Sequence, residues 1–278
     1  MTVSADLAKD QVLTDTTGLV DLRGNRRLAG GSQVYDGAER LVTGWHFHDV
    51  HEIEYASRGM VEVKTAAGHH LLPPHQAAWI PAGLRHQTTL HAGARTLAVL
   101  FEPGLVPGAG DRVRIIAVSA LLREMMLYSV RWPASRTESG AEADSFFHAL
   151  GYVVAEALND EWPFHLPASD DPVVTAATDY TRAHLGDVTL GDVARAVTVS
   201  ERTLRRLFGT RLGMSWRSYL LRARVLRAMA LLAQPGRSVL EVSIAVGFDD
   251  PGAFARSFAR HCGETPSAYR RRIKVAPG

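Results

Sequence analysis

Histidine, carboxylate and arginine crowd into short stretches of this 278-residue sequence, and each crowding implies a chemistry. Eight of the twelve histidines lie between His46 and His91. In the run HFHDVHE, His46 and His48 are two apart and share one face of an extended strand, with Glu52 close behind. His86 follows in PAGLRH, after a Pro/Gly turn. Imidazole nitrogen and carboxylate oxygen are ligands for Zn, Fe, Ni or Mn, so His46, His48, Glu52 and His86 are the candidate set for a divalent transition metal. The same side chains, together with Trp45, Tyr55 and Trp79, equally suit the lining of a small-molecule pocket. His51, His69, His70 and His75 read as surface or turn residues without a role.

The second crowding is of arginine. In SERTLRRLFGTRLG, Ser200 stands where its hydroxyl accepts a bond from an orphan N–H at a helix start. Leu204, Leu207 and Phe208 then fall on one helical face, leaving Arg202, Thr203, Arg205 and Arg206 on the other. A guanidinium offers paired donors to guanine and clamps phosphate, so this helix suits a DNA groove by either contact. A similar stretch recurs as SVLEVSIAVGFDDPGAFARSF. Val239, Val242, Ile244 and Val246 are expected to pack its first helix, and Gly247 to take the positive φ of a tight stop. Asp249 or Asp250 caps the next helix, with Pro251 in its first turn. Phe254 and Phe258 face inward, leaving Pro251, Gly252, Ala253 and Arg256 outside. Trp216 to Ala233 reads as one joining helix of roughly 27 Å, near the ~34 Å between successive major-groove turns.

The elements that position these residues differ along the chain. From Leu41 to Phe101, short apolar runs broken by Gly and Pro read as strands of a small barrel or jelly roll. Arg112 to Arg131 and Ala141 to Asn159 read as helices. Trp162 to Pro172, with three prolines, reads as a linker, and everything beyond it as helix. The expectation is an α+β protein of two domains, 20–162 and 173–275, joined by 163–172.

Charge follows the same division. From Asp171 onward there are 17 basic against 9 acidic residues, a net of +8, and the preceding 170 residues carry 14 against 20, a net of −6. A basic module beside an acidic one suits a polyanionic partner. The single cysteine, Cys262, excludes an intrachain disulfide. The start of the chain lacks a signal-peptide pattern, and no stretch is apolar enough to span a membrane, so a cytoplasmic location is expected.

The stretch GFDDPGAFARSFARHCGETPSAYR resembles the signature of the AraC/XylS family of transcription regulators, and the likeness extends over Val173 to Ile273. It implies a DNA-binding domain of two helix-turn-helix units joined to a variable effector or dimerisation domain. Carried over, Arg202, Thr203, Arg205 and Arg206 face the groove from the first recognition helix, and Pro251, Gly252, Ala253 and Arg256 from the second. Three of the latter offer no side-chain hydrogen bond, so the first helix is expected to dominate specificity. The spacing around His46, His48, Glu52, Gly59 and His86 resembles the two motifs of cupin barrels, and so implies a cupin-like β-barrel with appended helices. It departs from them in having Arg40 where a glycine is expected and Leu90 where an asparagine is.

Two functions compete on these grounds. One is a sequence-specific transcription regulator, activator or repressor, controlled by a small molecule or metal in the N-terminal domain. The other is a cupin-type metalloenzyme, a dioxygenase or isomerase, with a helical appendage. Two arginine-lined helix-turn-helix units favour the regulator, as does the lack of GxSxG, P-loop, HExxH or dinucleotide motifs. The expected partners are double-stranded DNA, the effector, RNA polymerase if the protein activates, and a second copy. The helix around Ile115 to Tyr128 either forms that dimer surface or packs on its own barrel.

Overall fold

The computed structural model describes residues 19–20, 28–74, 76–136, 138, 140–161, 166–234 and 236–275. They separate into two compact units, one of residues up to 65 with 74–163, the other of 66–73 with 164 onward. His75 and residues 162–165 of the expected linker lie outside the described residues.

The strands, in chain order, are β1 (Leu19–Val20), β2 (Gly30–Asp36), β3 (Leu41–Val42), β4 (Phe47–His48), β5 (His51–Arg58), β6 (Val61–Lys64), β7 (Gly68–Leu72), β8 (Gln76–Ile80), β9 (Gln87–Leu90), β10 (Arg95–Phe101), β11 (Arg114–Ala117) and β12 (Leu166–Pro167). In the first unit an antiparallel sheet runs β11-β8-β5-β10-β2, and β9 pairs antiparallel with both β3 and β6. The pleat of β5 sorts its side chains in two. Ile53 and Tyr55, paired across to Trp79, Val99 and Leu97, lie on the face that packs against helices α1 (Ala120–Tyr128) and α2 (Ala141–Ala157) through Leu122, Met126, Phe147, Leu150 and Val154. Glu52 and Glu54 lie on the other. Only glycine permits the approach of α2 to β2: a Cβ on Gly30 would stand 2.4 Å from the Phe147 ring and 2.6 Å from the Leu100 carbonyl oxygen.

The sequence expectation for 112–131 is corrected here. The segment is strand β11 followed by α1, not one helix. The β-branched pair Ile115 and Ile116 is buried on both faces beside β8, which a strand accommodates and one helix stripe does not. Ser119 then starts α1, its hydroxyl accepting from the Leu122 N–H at 3.1 Å. Leu121 is exposed while Leu122 and Met126 are fully buried, so α1 packs on its own unit through one narrow stripe.

In the second unit β7 pairs with β12, and seven helices follow: α3 (Pro172–Ala183), α4 (Leu190–Ala196), α5 (Glu201–Leu212), α6 (Trp216–Ala233), α7 (Val239–Ala245), α8 (Pro251–Cys262) and α9 (Pro266–Val275). The same local chemistry occurs twice. Capping boxes start α4 (Thr189 with Asp192) and α7 (Ser238 with Glu241). Ser200 caps α5 and, fifty residues on, Asp250 caps α8. Gly213 and Gly263 end those helices in the left-handed conformation. Phe208 meets Tyr219 edge-on with ring centroids 5.6 Å apart, and Phe258 meets Tyr269 at 5.6 Å in the same way. Each unit is thus a small core closed by a helix-start tyrosine. One expectation fails: Ile244 is 63 % exposed rather than packed, because Val242 in α7 and Val246 just beyond it already fill the inward side.

Candidate functional site

The first unit brings three of the predicted residues into one cluster. The extended chain at His46 pairs antiparallel with His86, with N–H···O bonds of 2.9 and 2.8 Å in the two directions. Both rings therefore project to the same side, and His48, two residues on, joins them. One ring nitrogen from each of His46, His48 and His86 lies within 4.8 Å of the others, and all three residues are buried. Every ring also turns its Nδ1 to a backbone carbonyl two residues away: His46 to Gly44 at 3.1 Å, His48 to Val50 at 2.7 Å, His86 to Leu84 at 2.9 Å. For His46 and His86, an Nδ1–H donated to a carbonyl leaves the Nε2 lone pair free to ligate, which is the arrangement that orients metal-binding histidines, whereas His48 Nε2 is turned to Glu52. The Nε2 of His86 is buried without a hydrogen-bond partner among the described residues.

Glu52 meets this cluster through His48, its Oε2 2.8 Å from His48 Nε2. Burial alone would raise the Glu52 carboxyl, but the hydrogen bond from His48 and the nearby imidazoles outweigh it and hold it at about 2. For His48, burial works downward and the bond and charge of Glu52 work upward, with a net rise. The two shifts agree on an imidazolium–carboxylate pair. Burial pushes His86 down to about 4 and also lowers His46, so both are neutral rings with a lone pair to offer. Glu54, on the same face of β5 as Glu52, is fully buried, and its carboxyl is raised well above the usual range by burial and then by Glu52. The sequence reading missed Glu54, although its two-residue separation from Glu52 on a strand is signal enough.

The remaining pocket candidates lie elsewhere. Trp45 precedes His46 and points to the opposite side, where the Arg85 guanidinium sits 5.4 Å from its ring. Tyr55 and Trp79 belong to the helix-facing core, with the Trp79 indole N–H donating to Ala109 O at 2.8 Å. The structure does not bring these three to His46, His48 and His86; Trp79 lies instead against His51, ring centroids 4.9 Å apart. His51, His69 and His70 are buried rather than on the surface, and His51 Nδ1 accepts from the Ala82 N–H at 2.9 Å.

On α5 of the second unit, Leu204, Leu207 and Phe208 are buried while Arg202, Arg205 and Arg206 are exposed and Thr203 half-buried. The Ser200 hydroxyl accepts from the Thr203 N–H at 3.1 Å, which fixes the start of the helix. Arg205 is held to Glu201 at 2.6 Å, one turn back on the same face. Arg202 and Arg206 have no carboxylate partner among the described residues. On α8, Asp250 rather than Asp249 is the cap, accepting from Gly252 N–H at 2.8 Å and Ala253 N–H at 3.0 Å. Pro251 and Arg256 are exposed, Gly252 and Ala253 half-buried, and Arg256 reaches Asp250 at 3.5 Å. The turns before these helices both need positive φ. Gly247 supplies it at +83°, and the equivalent residue in the first unit is Thr198 at +55°. Nothing in the sequence marks Thr198 except its alignment with Gly247.

Comparison with known proteins agrees with both halves. Residues 33–161 match the family model described as an AraC-like ligand binding domain, and residues 193–272 the model described as a helix-turn-helix domain. The HTH-type transcriptional regulator NimR of Escherichia coli (strain K12) is 26% identical over 243 residues, 86% of this chain and 86% of that protein. The Msm operon regulatory protein of Streptococcus mutans is 30% identical over 128 residues, 44% of this chain and 46% of that protein, so the chain spans under half of its length. Among solved structures, the DNA-binding domain of AdpA in complex with a target DNA is 31% identical, covering 39% of this chain and 100% of that one, with a TM-score of 0.36. With a ligand-binding model on the sheet-rich half, a helix-turn-helix model on the arginine-lined half and a relative that spans both, the chain combines an AraC-like ligand binding domain with a helix-turn-helix domain, the build of a DNA-binding transcription regulator.

Proposed function

We propose that this regulator reads DNA chiefly through α5, with α8 as the weaker reader, and that its barrel is a sensor whose effector binds at His46, His48, His86 and Glu52. The observation that carries the sensor reading is the convergence of three buried imidazoles whose Nδ1 atoms are all tied to carbonyls. A divalent transition metal fits that donor set: His46 and His86 offer neutral Nε2 atoms, and His48 would join them on giving up the proton it shares with Glu52. Such a cation would supply charge that crosslinks β4, β5 and the start of β9. A small polar effector binding to the same four side chains is the other form of this reading. No catalytic role is assigned to the cluster.

Arg202 and Arg206, free of carboxylate partners among the described residues, are the base-reading and phosphate-holding candidates. Arg205 must leave Glu201 to make either contact. Thr203, Pro251, Gly252, Ala253 and Arg256 complete the DNA face. A second copy, bound through the first unit, and RNA polymerase, if the protein activates, are the protein partners proposed, and the cytoplasm the location. The test joins metal analysis of the purified chain to DNA binding. Close to one equivalent of transition metal, lost in His48→Ala, supports the metal form. Metal-free protein with unaltered effector response refutes it and leaves the small-molecule form.

A further inference from the structure

Joining two helix-turn-helix units through one helix leaves their relative orientation to be fixed by something other than the helix alone. Arg224 stands at the middle of α6. Its Nε donates to Leu185 O at 2.9 Å and its Nη2 to Gly186 O at 3.3 Å, both in the turn between α3 and α4 that leads into the first unit. The same guanidinium lies 5.8 Å from the ring of Phe248, in the turn of the second unit. The two turns also meet directly. A Cβ built on Gly247 would be 2.2 Å from Gly186 O, 2.7 Å from Leu185 O and 2.6 Å from Arg224 Nη2. Two carbonyl oxygens of one unit therefore face the backbone of the other at a distance that only glycine allows, and Arg224 is the donor that satisfies them.

We propose that Arg224 is a positioning residue for DNA recognition: it clamps the lead-in turn of the first helix-turn-helix to the reading turn of the second, and so fixes the spacing between the two DNA boxes that one chain accepts. A planar fork suits this task, since it bonds two adjacent carbonyls while its flat face covers an aromatic ring. Lysine would reach one carbonyl and stack poorly. Arg224 is taken up by Leu185, Gly186 and Phe248, so its effect on DNA passes through the geometry of α5 and α8. The inference rests on both helices reading DNA.

The test is selection of binding sites by the full chain from a double-stranded library of about 30 random base pairs, three turns of duplex. The natural protein is expected to recover two boxes at one spacing. Arg224→Met is expected to recover the same boxes at scattered spacings, with affinity for the best natural site reduced about tenfold, as fits the loss of a charged hydrogen bond. Arg224→Lys, which keeps the charge and not the fork, is expected between the two and stands in should the Met variant fail to fold. Recovery of the single spacing by the variants overturns the proposal, whether affinity is kept or falls equally for all sites, since the latter is what a phosphate contact or plain destabilisation gives. A natural motif of one box alone overturns the two-helix reading and the clamp with it.

Discussion

The two turns before the recognition helices have the same backbone shape but different residues, and exchanging them makes a reciprocal test. Thr198 is exposed and held at φ +55°, a conformation that costs an L residue with a Cβ about 1–2 kcal/mol. Thr198→Gly removes that cost and adds about 0.5–1 kcal/mol of backbone entropy loss, so the net is a stabilisation of up to roughly 1.5 kcal/mol. Gly247→Ala runs the other way. It brings the same left-handed cost and places a methyl 2.2 Å from Gly186 O, a backbone atom that cannot yield without moving the first unit's turn. Strain of about 1–2 kcal/mol and overpacking of about 1–3 kcal/mol, less the roughly 0.5–1 kcal/mol of backbone entropy that losing a glycine returns, give an expected loss of roughly 1–4.5 kcal/mol. Urea unfolding of the full chain, with amide exchange followed in α4 to α9, measures both. A Gly247→Ala protein within 0.5 kcal/mol of the natural one, or a Thr198→Gly protein destabilised by more than the entropy figure of ~1 kcal/mol, would show that the turns are not shaped as described.

Four further outcomes are expected. Replacing whichever of Arg202 and Arg206 reads a base costs about 1–3 kcal/mol and relaxes one operator position, whereas loss of a phosphate contact weakens all sequences alike and lowers the salt slope by about one; alanine variants of both that bind and discriminate normally would refute the role of α5. Glu201→Gln releases Arg205 from its 2.6 Å ion pair and is expected to tighten DNA binding at low salt, read by titration at several salt concentrations. Glu52, held at about 2 against an ordinary 4.5, contributes stability that is present above pH 4.5 and lost as pH falls toward 2; an acid unfolding series on Glu52→Gln should lack that part of the limb. Cys262, pushed up to about 12 by burial and then by Glu264, against the opposing charge of Arg272, should resist iodoacetamide at pH 8 in the native state and react once unfolded in urea.

The helical half was legible because its signals are local. Ser200 and Asp250 cap where hydroxyl and carboxylate side chains precede an apolar stripe, and Gly247 takes the left-handed turn that glycine invites. The histidine cluster was legible from parity: His46 and His48 are two apart on extended chain, and His86 is brought opposite by a long-range bridge. Parity also shows why three aromatic candidates part from it. Tyr55 is three residues from Glu52 and Trp45 one from His46, odd separations that put them on opposite faces, and Trp79 pairs across with Ile53, the neighbour of Glu52, and so shares the face that Glu52 does not. Ile115 and Ile116 misled because an apolar pair before a helix resembles its first turn, and only pairing with β8 reveals the strand. Arg224 carries no local mark at all, since its partners lie 39 and 38 residues back in the chain.

The fifty-residue echo within the second unit has a consequence for the shape of the DNA message. Two-fold related subunits read sites that look the same from either strand. Here the two proposed readers repeat in tandem with different residues on the faces assigned to the groove, Arg202, Arg205 and Arg206 in one and Pro251, Gly252 and Ala253 in the other. A single chain consequently has a front and a back on DNA. Its site carries an arrow, and reversing that site in front of a gene is a different instruction from leaving it as it stands.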